Sequence, residues 1–424
     1  AIIFLAAIHA STAYGDSIAS ILINTPGGAG SVASCWDGYP LARSGKAGMA
    51  LGISTGGSLF GGIVGWLSLV MISPVLINVA LMMGPAEYAM IALLALTLLA
   101  VSAEGQLVKG LVLCGIGLML TFIGSDPING FLRYTFGFHY LDDGVSSIPV
   151  LLGLFAMSQA IKMSASGDSF AAETFAATDR VSDGVRVIFQ HWPTLIRSGI
   201  IGIILGVMPA LGISSASIVA YMYEKRSAKG ADRAAFGHGN VKGLLAPETA
   251  KAACVVGDLV PTLTLGIPGS AATALFLAAL MLHGIDPGPD FFVKGGILPY
   301  TVFVGILLAQ ITFSVFGFFL ARYFAKVIQI PNSMLVPGIV MLCFLGAYAQ
   351  RNEPLDVLLM LVFGVIGYVL TRYKYPTICI VLGLVLGDML EGNYQRALLI
   401  GNGNPLVFIT EPISGLIFLL VILS

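Results

Sequence analysis

The stretch APETAKAACVVGDLVPTLTLGIPGSAATALFLAALMLHGIDPGP, Ala246–Pro289, decides how this chain folds. Two apolar runs, about Pro247–Val260 and Ser270–His283, predict helices on either side of a centre that resists being helical. Pro261 and Pro268 lack an amide donor and crowd the preceding turn. Gly266 and Gly269 tolerate backbone conformations that other residues avoid. Thr262, Thr264, Ser270 and Thr273 add hydroxyls to the same segment. In lipid, unwound backbone persists only where it is buried in protein or lines a wet cavity. A helix broken at membrane depth is a usual construction of a carrier's binding site. A plain proline kink would need only one of these residues.

The rest of the chain supplies the membrane. Of 424 residues, 57% are hydrophobic and 10% charged, and the mean hydropathy is +0.93. A soluble chain carries roughly a quarter charged residues. Apolar runs long enough for a bilayer core of about 30 Å recur throughout, so the lipid bilayer is the expected environment. The fold class is therefore an all-α polytopic membrane protein. A net charge of −1 argues against nucleic acid as a partner. Fifty-two glycines suit close packing of helices in lipid. Cys35, Cys114, Cys254, Cys343 and Cys379 lie in apolar runs without metal-ligand spacing and are expected to be reduced packing residues.

A second broken helix opens the chain, in Ala1–Trp36, with ILINTPGGAG at Ile21–Gly30 as its centre. An offset of 242, the separation of Asp16 from Asp258, superposes the two stretches. Gly15-Asp16 then falls on Gly257-Asp258, and Pro26-Gly27 on Pro268-Gly269. The shared spacing predicts an internal repeat. Further spans are expected at 49–72, 76–101, 107–124, 145–162, 297–323, 333–350, 355–371, 376–390 and 405–424. That gives about eleven spans of membrane length with the two broken helices. Phe170, Phe175, Val181, Val185, Ile188 and Phe189 recur at helical spacing in a polar segment, which predicts an amphipathic helix lying on the membrane.

Arg197–Arg226 has Pro209 and Gly212 at its midpoint. Each half is too short to cross, at 1.5 Å per residue, and basic residues flank both ends. A re-entrant helical hairpin is predicted. With that hairpin in place, alternating sides along the spans collects sixteen Lys and Arg on one face, Arg43, Lys46 and Lys229 among them. Arg133, Lys294, Arg351 and Arg396 fall on the other, and Lys251 lies inside. The basic face is cytoplasmic by the positive-inside rule. The two broken helices then run in opposite directions, as inverted repeats do. The expected division is 1–162 for the first repeat with its scaffold spans, 163–372 for the second with the interfacial helix and hairpin, and 373–424 for the C-terminal segments.

These residues resemble the large membrane subunit of the tripartite tricarboxylate transporters, the TctA family. The resemblance is carried by Tyr14-Gly15, Ser17–Gly27, Asp37-Gly38-Tyr39-Pro40-Leu41-Ala42-Arg43, Arg197–Arg226 and Ala246–Pro289, above all by LTLGIPGS followed by HGIDPGP. It implies ion-coupled uptake of tri- or dicarboxylates, with a small membrane subunit and a soluble substrate-binding protein as partners. It also implies that about sixty residues precede Ala1 and carry the first repeat's own hairpin, the partner of Gly206–Gly212. The chain departs from the family's commonest pattern at Ala210, at Asp16 and Asp258, and at Lys251 and Ala252.

Candidate site residues follow from the breaks. Amides and carbonyls of Asn24, Thr25 and Gly27, and of Gly266, Ile267 and Gly269, lose helical partners there, and a half-helix N-terminus favours an anion. With the hydroxyls of Ser31, Ser270 and Thr273 they are the expected contacts of the substrate carboxylates. Those hydroxyls can instead bond back to their own helix. Asp16 and Asp258, with Ser17 and Thr262 beside them, are the candidates for handling Na+ or a proton, since intramembrane charges are paired or functional. Bound Na+ is the one cofactor to consider. Lys251 is expected either to pair with Glu248 or Asp258, the preferred reading, or to reach the substrate as a point charge. Glu248, after Pro247, is expected to cap a helix N-terminus. The offset places His9 opposite Lys251. The alternative function is a stand-alone carrier of another small organic anion. An intramembrane enzyme lacks its motifs, H-E-x-x-H and G-x-S-x-G, and a channel fits broken inverted repeats less well. Oligomeric state is left open, a homo-oligomer included.

Overall fold

The structure, a computed structural model, describes all residues except 103–106, 167–178, 209–211, 328–331 and 424. It is all-α apart from one two-residue antiparallel ladder, Gly124–Ser125 with Leu132–Arg133, in the polar loop 125–144. Helices solve the bilayer problem because every backbone bond is made within the segment. Among the described residues, seven stretches are long and apolar enough to cross a membrane: Ile2–Ile23, Val32–Leu81, Ser147–Ala165, Val181–Val207, Leu298–Leu320, Ser333–Arg351 and Pro354–Arg372. Pro85–Leu98, Leu107–Thr121, Ala271–Leu282 and Pro412–Ile422 are shorter apolar helices. The chain is a polytopic membrane protein.

Packing groups the chain into two compact units, Ala1–Ile77 with Phe170–Ile330, and Asn78–Ser169 with Pro331–Ser424. The expected division by repeats cuts across this grouping. Both broken helices fall in the first unit with the spans expected at 49–72 and 297–323, and the other expected spans make up the second.

In the second unit, Pro85–Ser102 and Leu107–Thr121 pack on the long helix Ile378–Ile400. Ala89, Met90, Ala397 and Phe408 form part of one core there. Ser147–Ser166, a single helical stretch with a π-turn at Leu152–Met157, packs on Asn332–Arg351 and Pro354–Arg372. Arg133 in the polar loop bridges Glu391 at 2.5 Å and Asp126 at 3.2 Å. The terminal run expected at 405–424 is broken by Pro412, which starts a separate 12-residue helix.

The first unit is built on α1 (Ile2–Ile23), α2 (Val32–Leu41), α3 (Ala47–Leu81), α4 (Val181–Ile188), α5 (Trp192–Val207), α6 (Gly212–Ser227), α7 (Val241–Gly257), α8 (Leu259–Leu265), α9 (Ala271–Leu282) and α10 (Leu298–Val327). α7 is the central column: every residue from Gly243 to Gly257 is buried. Asn240 caps it by accepting the amides of Lys242 and Gly243. Small residues let neighbours approach its backbone. A Cβ on Gly65 of α3 would lie 2.8 Å from the Ala253 carbonyl, and one on Gly206 of α5 would lie 2.6 Å from that of Cys254.

α5 and α6 form the expected hairpin. Thr194 Oγ1 donates to Glu224 Oε2 at 3.0 Å, and Arg197 Nε lies 3.4 Å from Glu224 Oε1. The start of α5 therefore meets the end of α6. Each has 16 residues, about 24 Å, short of a bilayer core of about 30 Å; the run Val181–Val207 reaches membrane length only by joining α4 to α5 through the turn Phe189–His191. Pro209 and Ala210 at the tip lie outside the described residues; Gly212 opens α6 at φ 66°. Cysteines placed at Arg197 and Arg226 are expected to react with an impermeant maleimide from the same side of the membrane, whereas labelling from opposite sides would replace the hairpin by a crossing. Of the amphipathic segment, Phe170 and Phe175 lie outside the described residues. Its second half is α4, whose Gly184 packs on the backbone of Met49 and Gly52 in α3.

Candidate functional site

The break after α1 and the break between α8 and α9 have the same local structure. Asn24 ends α1 in the left-handed conformation (φ 52°, ψ 29°), and Gly266, 242 residues later, ends α8 in the same one (φ 71°, ψ 20°). Four residues beyond each, Gly28 (φ −151°, ψ 171°) and Ser270 (φ −148°, ψ 169°) are extended and cap the next helical turn. Ser31 Oγ accepts the Gly28 amide at 3.3 Å, and Thr273 Oγ1 accepts the Ser270 amide at 2.8 Å. Two stretches far apart in sequence thus repeat one backbone path and one capping device.

The glycines that follow the prolines serve closeness. Gly27 packs on Asp16, where an added Cβ would sit 2.7 Å from the Asp16 carbonyl oxygen. Gly269 packs on Asp258 in the equivalent way, with an added Cβ 2.9 Å from the Asp258 Cβ. Positive φ belongs instead to Asn24 and Gly266. Residues on either side of the hairpin tip reach both breaks: Ile213 of α6 lies against Gly30, and the Gly206 carbonyl of α5 faces Gly269. Ser217 turns back to the Ser214 carbonyl within α6.

The hydroxyls proposed from sequence are occupied locally. Thr25 Oγ1 donates to the Ile23 carbonyl, Ser31 to Gly28, Thr273 to Ser270 and Thr262 to the Asp258 carbonyl. Ser270 Oγ donates to Asp258 Oδ2 at 2.9 Å. The helix runs through Pro261, which lies in the first turn of α8 where no amide donor is needed. The unwound centre is confined to Gly266–Ser270.

Two charge clusters lie beneath the breaks. Lys251 is fully buried. Its ammonium donates to Asp16 Oδ1 at 2.8 Å and to Ser17 Oγ, and lies 3.2 Å from Glu248 Oε1. The expected pairing with Glu248 holds; the expected alternative partner, Asp258, is replaced by Asp16 of α1. Asp258, the C-cap of α7, lies two turns beyond Lys251, and Asp16 of α1 is the carboxylate that reaches the ammonium. Asp258 is met instead by His9, whose Nε2 is 2.9 Å from Asp258 Oδ1 and 2.9 Å from the Val255 carbonyl. The crossing is reciprocal: His9 of α1 reaches the acid that caps α7, and Lys251 of α7 reaches Asp16 of α1.

Glu248 does not cap a helix. It lies in the middle of α7, fully buried, because α7 starts at Val241 rather than at Pro247. Its Oε2 accepts from Ser17 at 2.8 Å, Ser54 at 2.5 Å and Ser58 at 3.3 Å, and its Oε1 accepts from Ser34. These hydroxyls come from α1, α2 and α3, so one carboxylate ties three helices to the central column. Such a carboxylate, surrounded by donors, is what makes a buried charge tolerable. Asp37 of the Asp-Gly-Tyr-Pro segment plays a related part: its Oδ1 accepts the amides of Gly237, Gly239 and Asn240 at 2.7–2.9 Å, fixing the loop that leads into α7.

Residues 1–382 match the family described as tripartite tricarboxylate transporter TctA. The chain belongs to the TctA family. Two Agrobacterium vitis proteins are similar to this TctA-family chain. One, described as an uncharacterized 52.8 kDa protein in the TAR-I ttuC' 3' region, is 34% identical over 98% of this chain and 82% of its own length. The other, an uncharacterized protein in the TAR-II ttuC' 3' region, is 37% identical over 50% of this chain and 88% of its own. No solved structure matches. The family makes the chain a membrane component of tricarboxylate transport.

Proposed function

We propose that this TctA-family chain is the permease subunit for uptake of a tri- or dicarboxylate driven by a cation gradient, Na+ or H+. It resides in the cell's inner membrane and works with a small membrane subunit and a soluble substrate-binding protein on the extracytoplasmic side. The observation that carries the reading is the pair of breaks 242 residues apart, with one backbone path, gathered with the two hairpin helices in one compact unit. Each break ends in a fresh helical start at Gly28 or Ser270, and backbone amides at such starts suit a carboxylate. Inverted orientation of the two repeats would turn both starts toward one substrate. Asn24, Thr25, Gly27, Ser31, Gly266, Gly269, Ser270 and Thr273 are then the substrate's surroundings. Asp16 and Asp258, with Ser17 and Thr262, lie one layer below, where an ion is handled. Lys251 is a fixed internal counter-charge and does not reach the substrate. The test is uptake of labelled citrate and succinate into proteoliposomes. Uptake is expected only when the small membrane subunit and the binding protein are present. Full uptake of either acid by this chain alone would make it a stand-alone carrier, and single-channel current in place of saturable uptake would make it a channel.

The partner claim has its own check. A hydrophobic small subunit is expected to co-purify with the tagged chain in mild detergent. Deleting that subunit is expected to abolish uptake while leaving this chain in the membrane. Undiminished uptake after the deletion would remove the small subunit from the account.

A further inference from the structure

The two crossed pairs beneath the breaks differ in one respect. At position 251 stands a lysine, whose ammonium holds Asp16 and Glu248. At the matching position of the first repeat stands His9, a side chain that carries charge only when it takes up a proton. Its Nε2 faces two acceptors, Asp258 Oδ1 and the Val255 carbonyl, both at 2.9 Å, so Nε2 carries the hydrogen. Its Nδ1 has no partner among the described residues, although the residue is only 7% exposed. A buried polar nitrogen left without a partner calls for an explanation in function or in a missing ligand. Both oxygens of Asp258 already accept from donors, Oδ1 from His9 and Oδ2 from Ser270. A carboxylate so dressed offers poor coordination to Na+, which needs a shell of free oxygens, and good accommodation to a neighbouring imidazolium.

We propose that the coupling ion is a proton bound by the His9–Asp258 pair, and that Lys251 fills the symmetry-related place permanently. This rests on the carrier reading above. The proton adds to Nδ1 of the neutral imidazole and gives an imidazolium beside the Asp258 carboxylate; its release restores the imidazole, and no other bond changes. The link to substrate is short. Asp258 holds the Ser270 hydroxyl, which caps α9, and Gly269 lies against Asp258. A change of charge on His9 therefore acts on the second break through one carboxylate.

The charged and titratable groups on α1 and on the elements packed against it are few, and Asp258 is the one that contacts His9. α7 carries Lys242, Glu248, Lys251 and Cys254, and Asp258 is its C-cap. α1 itself adds Asp16 and Tyr14. α10, packed along α1, contributes Tyr300 and Gln310 and no charged residue between Leu298 and Leu320. α9 brings no charge, and α2 carries Cys35, Asp37 and Tyr39, of which Asp37 is bound to the loop before α7.

The experiment uses the whole complex in proteoliposomes, with labelled citrate and the membrane potential clamped. Counterflow without any gradient first reports carriage itself. An inside-alkaline gradient of one pH unit is expected to drive about tenfold accumulation per coupled proton, and a Na+ gradient none. His9→Gln, which keeps a donor for Asp258 but cannot bind the proton, is expected to lose the pH-driven accumulation. Lys251→Asn, measured separately, is expected to gain thermal stabilisation by NaCl over KCl that the wild type lacks, because its acids are then without their cation. Accumulation driven by Na+ and not by pH in a wild-type protein that shows counterflow would overturn the proton assignment and leave the carrier standing. Retained pH-driven accumulation in His9→Gln would overturn the site. Absence of wild-type counterflow would remove the carrier reading and this inference with it.

Discussion

Gly27→Val and Gly269→Val are each expected to abolish carboxylate uptake while the protein still inserts and purifies as a folded species. At Gly27 a β-carbon would lie 2.7 Å from the Asp16 carbonyl oxygen and 2.8 Å from the Asp16 Cα, both backbone atoms that cannot swing aside. At Gly269 it would lie 2.9 Å from the Asp258 Cβ. Valine adds two methyl groups beyond that carbon, so the unwound segment must lift off the carboxylate beneath it. Overpacking of this kind costs roughly 1–3 kcal/mol, which a protein with a large buried core survives. The substrate's surroundings do not survive it, because the displaced atoms are the amides proposed to bind carboxylate. Uptake is expected to fall by at least about a hundredfold, the scale of a small misplacement in a preorganised site. Initial rates in proteoliposomes, with gel filtration of the same preparation, measure both halves of the expectation. Wild-type rates in the two variants would give these glycines another purpose.

Lys251→Met is expected to destabilise the folded protein by about 3–5 kcal/mol, the range for removing one partner of a buried ion pair. The methionine fills much the same volume, so the loss is electrostatic rather than a cavity. Glu248 and Asp16 are left facing each other across the space the ammonium occupied, with Ser17 still between them. The double variant Lys251→Met with Asp16→Asn is expected to recover part of the loss, since contacting residues couple in a double-mutant cycle. Thermal unfolding in detergent, followed through a thiol-reactive dye on the five free cysteines, reads the change. A drop no larger than an exposed lysine would give, well under about 1 kcal/mol, would contradict the buried network described above.

The breaks were legible because their chemistry is local. Proline, glycine and a capping Ser or Thr mark an unwound turn wherever they cluster, and the 242-residue offset placed Pro26-Gly27 on Pro268-Gly269. The hairpin was legible for the same reason, from its short halves and flanking basic residues. What remained hidden was tertiary. Sequence spacing put Glu248 and Lys251 on one face but could not show that Asp16, 235 residues away, completes the cluster. Nor could it show the start of α7 at Val241, which turns Glu248 from a cap into a buried anchor. Ser34, Ser54 and Ser58 escaped notice. The one available signal was Ser54 and Ser58, one turn apart in a glycine-rich apolar run, where hydroxyls and small residues share a packing face.

The central claim is that the two breaks hold the carboxylate, and cysteine protection tests it most directly. Thr25→Cys and Ala272→Cys place one thiol at each break, at positions that are half-buried and exposed respectively. In the complete complex, citrate is expected to slow alkylation of both thiols together, with the same concentration dependence as uptake, while equal sulfate leaves both rates unchanged. Alkylation at both positions that is indifferent to citrate, at concentrations that saturate transport, would place the substrate elsewhere.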